Sequence, residues 1–201
     1  MRALEEIYKG SFFKSRRSLN WRVPIMCNAI IDTFEIPPLS TIIDVGCAIG
    51  DFVDGFYERG YKARGIEGSG AAMEFVLPRV VDKVIRWDLR KRIPGFGRYD
   101  LCICLEVAEH IEPEYTETFL DNLCLLSDKI LMTAAPPGQE GVHHVNCQPQ
   151  EYWEDKMLRR GYQRWRSKEI HWLAVMSPVA EKKGIGHYRK NAMIYRRTKI
   201  R

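Results

Sequence analysis

The residues best suited to chemistry fall in two short stretches. Glu106, Glu109 and His110 follow the apolar run Tyr99–Leu105, and Gly141-Val-His143-His144-Val-Asn146 comes some thirty residues later. On a helical turn, positions i, i+3 and i+4 share one face, so Glu106, Glu109 and His110 would stand together. Oxygen and imidazole ligands suit a hard divalent cation, and such a cation lowers the pKa of a hydroxyl held against it. A histidine can also remove a proton without a metal, because its ordinary pKa lies near neutrality. The candidate catalytic residues are therefore His144, His143 and Glu106, and the candidate metal ligands are Glu106, Glu109, His110 and His144. Without a cation, Glu106 would order the pocket and His110 would cap the loop.

Three other places look built for binding. Thr41-Ile-Ile-Asp44-Val-Gly46-Cys47-Ala48-Ile-Gly50-Asp51 reads as a buried strand, a tight turn and the start of a helix. A Cβ at Gly46 or Gly50 would hold the backbone away from anything across the turn. Gly65-Ile-Glu67-Gly68-Ser69 ends a second strand in an acid suited to a ribose diol, and Trp87-Asp88 closes a third. A dinucleotide fingerprint would need glycine where Ala48 and Asp51 stand, and Asp51 would oppose a pyrophosphate.

These residues must be carried by a regular scaffold. Val23–Phe34 has helical periodicity, Asp51–Arg59 reads as a crossover helix, and Ser69 can cap a helix running to about Leu77. Strands are expected at Thr41–Val45, Tyr61–Ile66, Val80–Arg86, Tyr99–Leu105 and Lys129–Ala135. Helices are expected at Pro113–Leu126 and Gln150–Arg160, with two last strands in Tyr162–Ile170 and Tyr188–Arg196. Strict βα alternation implies an α/β three-layer sandwich whose ligand edge lies at the carboxyl ends of the strands.

Taken together, Asp44–Gly50, Gly65–Glu67, Trp87-Asp88 and Tyr99–Ile111 resemble the class I S-adenosylmethionine-dependent methyltransferases, over roughly Thr41–Arg197. Ala48 departs from that pattern, which often has glycine there. The resemblance implies a Rossmann-like sheet of seven mostly parallel strands with the last antiparallel, and S-adenosylmethionine as cofactor. The cofactor-binding set it implies is Asp44, Gly46, Cys47, Ala48, Gly50, Glu67, Gly68, Trp87, Asp88 and Leu105. Glu67 would take the ribose and Asp88 the adenine amine, with Trp87 and Leu89 beside the ring. The Glu106–His110 segment is similar to that of small-RNA 3′-terminal 2′-O-methyltransferases, which hold a divalent metal, and to ubiquinone-biosynthesis O-methyltransferases. His143–Trp153 is similar to enzymes of sugar and polysaccharide modification.

The chain has 201 residues and a formal charge of +5, which fits one domain with a substantial core. Residues 1–40 are expected to form a basic arm and a helix over the cofactor pocket, and residues 41–201 the catalytic domain. Lys9, Lys14, Arg16, Arg17 and Arg22 alternate with Phe12, Phe13 and Trp21, and the segment from Lys182 on is basic too. Such an arm can cover a pocket or follow a nucleic-acid backbone. The six cysteines form no C-x-x-C pair and suit a reducing, cytoplasmic setting. No leader or membrane span is expected. The favoured acceptor is a hydroxyl of a glycan or small metabolite. An RNA ribose hydroxyl and a catalytically silent binding subunit are the alternatives.

Overall fold

The computed structural model describes residues 7–179, 181, 182 and 184–198. Residues 1–6, where the absence of a leader is expected, and Lys183 and residues 199–201 of the basic tail lie outside the described residues.

Seven strands form one sheet: β1 Thr41–Val45, β2 Lys62–Glu67, β3 Val84–Arg86, β4 Leu101–Leu105, β5 Lys129–Thr133, β6 Tyr162–Arg164 and β7 Ala192–Arg197. Their order is β3-β2-β1-β4-β5-β7-β6. The first five are parallel, and β7 runs antiparallel between β5 and β6. The order reverses between β1 and β4, so a crevice opens at the carboxyl ends of those two strands. The expected seven-stranded sandwich is the observed one.

Consecutive residues of β1 serve opposite faces, because side chains alternate across a strand. Ile42 packs with α2 (Val23–Phe34), α3 (Asp51–Tyr57) and Trp172 of α7 (Arg166–Val175). Ile43 packs with Phe119, Leu120 and Leu123 of α5 (Thr116–Leu126) and Trp153 and Met157 of α6 (Gln150–Arg159). A third, smaller cluster joins α1 (Gly10–Arg16) to the turn after β1. There Phe13 is buried with Ala48, Ile49 and Ala72 of α4 (Gly70–Met73), and Tyr8, Phe12 and Phe75 pack against them. Among the described residues no helix is long and apolar enough to cross a membrane.

Three expected elements are corrected. Val80–Lys83 belongs to a 3-10 turn begun by Pro78, so the third strand is only Val84–Arg86. Tyr162–Ile170 is not a strand throughout: β6 ends at Arg164, and α7 follows. The helix wins because it buries Trp172 fully and sets Glu169 beneath β7, where its Oε1 accepts from Ile194 N–H at 2.9 Å. Tyr188–Lys190 belongs to α8 (Gly186–Lys190), which buries Tyr188 and lets its carbonyl accept from Trp172 Nε1.

Candidate functional site

The glycine turn is shaped by what crosses it. Gly46 (φ +78°) and Cys47 both donate their N–H to Ile66 O, at 2.8 and 3.0 Å, which folds the loop onto the end of β2. A Cβ on Gly46 would overlap Val107, so the loop after β4 can approach only because that position is glycine. Gly50 (φ +75°) begins α3 in a conformation glycine adopts freely. Ala48 holds φ +50° with a Cβ present, a strained left-handed residue at the centre of the turn.

Glu67 ties this loop to the next one. Its Oε2 accepts from Ala48 N–H at 2.8 Å and its Oε1 from Ser69 N–H at 2.7 Å. Burial pushes its pKa up, while those donors and Arg16 pull it back. Ser69 in turn caps α4 by accepting from Ala72 N–H. The Gly68 N–H also donates to the carboxylate, which has about four acceptor sites, so one remains for a ligand.

The turn opens on a cavity of about 300 Å³ lined by Gly46, Ala48, Glu67 and Gly68, by Asp88 and Leu89, and by Glu106, Glu109, His110 and His144. Tyr8, Phe12, Phe13, Arg16 and Arg22 from the start of the chain supply another wall, and His187 and Tyr188 a third. The two arginines converge on Asp51, whose oxygens lie 3.9 Å from Arg16 Nη2 and 3.8 Å from Arg22 Nη2. Arg22 is buried between the Phe52 and Tyr188 rings, and its Nε and Nη2 have no hydrogen-bond partner among the described residues. Asp44 is buried below, its Oδ2 without a partner among the described residues, and burial holds its carboxyl well above the ordinary range. Orphaned buried donors beside a glycine cradle suit a zwitterionic group. These residues therefore fit the amino-acid end of S-adenosylmethionine, and Glu67 fits its ribose.

Not every expected binding residue faces the cavity. Asp44, Cys47, Gly50 and Leu105 lie beneath the lining; Cys47 Sγ packs where a Cβ on Gly65 would come within 2.5 Å. Trp87 packs edge-on against Phe96, leaving Leu89 as the apolar wall. Asp88 reaches the lining but accepts from Arg90 N, Nε and Nη2, all at 3.0 Å, which draws its pKa down against the effect of burial.

Glu109, His110 and His144 each offer one ligand atom, and the three atoms lie within 4.8 Å of one another. Glu106 is not part of this group, because it precedes the 3-10 turn Ala108–His110 with φ +56°. Its oxygens accept instead from Asn191 Nδ2 at 3.3 Å and Gln139 Nε2 at 3.4 Å. Glu109 is fully buried, and neither carboxylate oxygen has a hydrogen-bond partner among the described residues. Burial, with Glu106 nearby, pushes its pKa up to about 8. His110 Nδ1 is 3.2 Å from His143 O, and His144 Nδ1 is 2.8 Å from Gln139 O. A carbonyl only accepts, so both Nδ1 atoms carry a proton, which leaves Nε2 as the nitrogen each ring can offer a metal. Burial lowers the His110 pKa to about 4, so it is neutral at pH 7. His143 does not line the cavity; its ring meets Tyr8 edge-on, with Nε2 buried and unpartnered. The donor set and the orphaned carboxylate fit a divalent cation.

Gln139, His187, Tyr188 and Asn191 also reach the site, from the loop after β5, from α8 and from the residue before β7. Nothing local in the sequence signals them.

No protein-family model and no curated protein sequence matches the chain. Solved structures do. Magnesium protoporphyrin IX methyltransferase from Synechocystis PCC 6803 with bound SAH is 15% identical over 91% of this chain and 85% of that one, with a TM-score of 0.62. The methyltransferase domain of bacterial CtHen1 is 18% identical over 72% of this chain and 87% of that one, at 0.55. CalO1, a methyltransferase in calicheamicin biosynthesis in its SAH-bound form, is 15% identical over 74% of this chain and 50% of that one, at 0.55. At such identities the likeness is one of fold, and the fold is that of the class I S-adenosylmethionine-dependent methyltransferases.

Proposed function

We propose that this protein is a cytoplasmic S-adenosylmethionine-dependent O-methyltransferase whose acceptor is a hydroxyl of a sugar, glycan or small metabolite. The observation that carries the reading is Glu109, a buried carboxyl whose two oxygens have no hydrogen-bond partner among the described residues, beside the His110 and His144 imidazoles in a glycine-cradled cavity. An acceptor whose proton must leave as the methyl arrives needs such a cluster; a free amine does not.

S-adenosylmethionine, when bound, supplies a methyl group on a positively charged sulfur. Gly46–Gly50 would give the backbone around its methionine part, Arg16 and Arg22 would hold its carboxylate, and Glu67 would accept from its ribose. Phe12 and Phe13 exclude water from that side. A divalent cation at Glu109, His110 and His144 would lower the pKa of the acceptor hydroxyl. Glu106, which Asn191 and Gln139 orient, would take the hydroxyl proton if both imidazoles held a cation. Positioning accounts for much of the rate. The six thiols are free, five of them buried, which accords with a reducing cytoplasmic setting.

An RNA ribose hydroxyl is the second reading, favoured by the Glu106-Val-Ala-Glu109-His110 pattern. Against it, Arg16 and Arg22 turn inward to Asp51, leaving Lys9, Lys14 and Arg17 exposed on the arm. The test is methyl transfer from labelled cofactor to a panel of glycans, phenols, sugar phosphates and short RNAs, with chelator and with added magnesium, manganese or cobalt. Transfer to a hydroxyl that chelator abolishes is expected. Transfer to RNA alone would replace the acceptor, and failure to bind the cofactor would leave a silent binding subunit.

A further inference from the structure

A second hollow of about 560 Å³ lies past the end of β5, lined among others by Gln139, Gln148, Gln150, Asn191, Lys182 and Lys190. It is joined to the reaction cavity in two ways. His187 lines both, and Asn191 and Gln139 form the wall between them, holding Glu106 from the far side. Anything seated here therefore touches the residues that position Glu106.

The hollow's charge is one-sided. No aspartate or glutamate lines it, and neither lysine ammonium has a carboxylate within ion-pair distance among the described residues; Lys182 Nζ lies 5.9 Å from the Trp21 ring. Elsewhere on the surface Arg79, Arg160, Arg166 and Lys168 each have carboxylate partners. Amide side chains supply neutral donors and acceptors, the usual partners of sugar hydroxyls, while two ammonium groups without a carboxylate partner among the described residues suit an anion.

Resting on the methyltransferase reading above, we propose that this hollow is the acceptor subsite and that the acceptor is a polyhydroxylated small molecule bearing a negatively charged group, a phosphate or a carboxylate. The charged group sits between Lys182 and Lys190, the amides hold the ring hydroxyls, and the reacting hydroxyl passes His187 toward Glu106. Arg16 and Arg22 are not the anion's partners, since they line the cofactor cavity and turn to Asp51.

The experiment separates the subsite from the cofactor reading. First, S-adenosylhomocysteine binding to the full chain is measured by calorimetry. Then ribose 5-phosphate, glucuronate and ribose are titrated into the saturated wild type and Lys182→Gln/Lys190→Gln, with the amide NMR spectrum checking the fold of the variant. We expect both anionic probes to bind at least tenfold tighter than ribose, and the double variant to lose that preference while binding S-adenosylhomocysteine normally. A larger loss for ribose 5-phosphate than for glucuronate would identify phosphate as the anion, and the reverse would identify carboxylate. Equal binding of the anions by wild type and variant overturns the subsite. Binding of a short RNA that the variant loses, with no binding of ribose 5-phosphate, overturns the small acceptor. Absence of S-adenosylhomocysteine binding overturns the cofactor reading instead, and the anion titration without it still decides whether the lysines form a site.

Discussion

Gly141 lies against the His144 ring so closely that a Cβ on it would overlap the imidazole, with Nε2 the nearest atom. The ring is thus pinned from one side by Gly141 and from the other by the hydrogen bond of its Nδ1 to Gln139 O. Gly141→Ala must move the ring, and a displaced ligand costs a metal site tenfold or more. The expected result is weaker manganese binding, read by paramagnetic line broadening, with unchanged affinity for S-adenosylhomocysteine. Unchanged manganese binding in the folded variant would remove His144 from the cation site.

Glu67 stitches two loops together and faces the cavity at once. Glu67→Ala is expected to weaken S-adenosylhomocysteine binding by about 1.5–3 kcal/mol, the scale of hydrogen bonds to a charged group. Calorimetry measures it, and wild-type affinity in the variant would leave Glu67 with its loop role alone.

Ala48 bears the strain of a left-handed residue. Relief by glycine exceeds the extra unfolded-state freedom glycine brings. Ala48→Gly is expected to stabilise the protein by about 0.5–1 kcal/mol in urea unfolding. A less stable variant would show that the methyl group's packing beside Phe13 outweighs the strain.

Stability without metal should depend on pH in a particular way. Glu109 titrates near pH 8 in the folded chain against an ordinary 4.5, so the native state keeps a proton that the unfolded state has lost. Its contribution is fully present below 4.5 and is lost as pH rises to about 8. His110, lowered to about 4 from 6.5, contributes fully above 6.5 and loses that contribution as pH falls toward 4. The two slopes oppose each other between 4.5 and 6.5, and only the fall from Glu109 remains between 6.5 and 8. In chelator, urea unfolding should show that fall in the wild type and not in Glu109→Gln. Parallel curves would contradict the buried, protonated carboxyl.

The sequence announced the glycine turn, Glu67 and the Glu109–His110 pair because each is local: a strand ends and its last residues must face the ligand edge. Gly46, Glu67 and Asp88 could be placed from strand ends alone. Trp87 could not, since Phe96 draws its ring aside, and neither could Glu106, whose φ of +56° breaks the helical spacing with Glu109. The segment Tyr162–Ile170 misled because Trp165 and Ile170 suit a strand as well as a helix. What decides it is Trp172, whose burial against the first core cluster needs the helical rise. Gln139 and Asn191 meet across fifty residues of chain, and no pattern of residues along the chain records that pairing.

β7 lies between β5 and β6, and this sets a timetable for the protein's birth on the ribosome. β5 and β6 are synthesised first and must wait, separated by the width of a missing strand, until residues 192–197 emerge. Until then β5 presents an open edge, the kind of surface on which nascent chains stick to one another. Asn191, immediately ahead of β7, cannot reach Glu106 before that moment. The Asn191–Glu106 contact therefore forms only with the closing of the sheet.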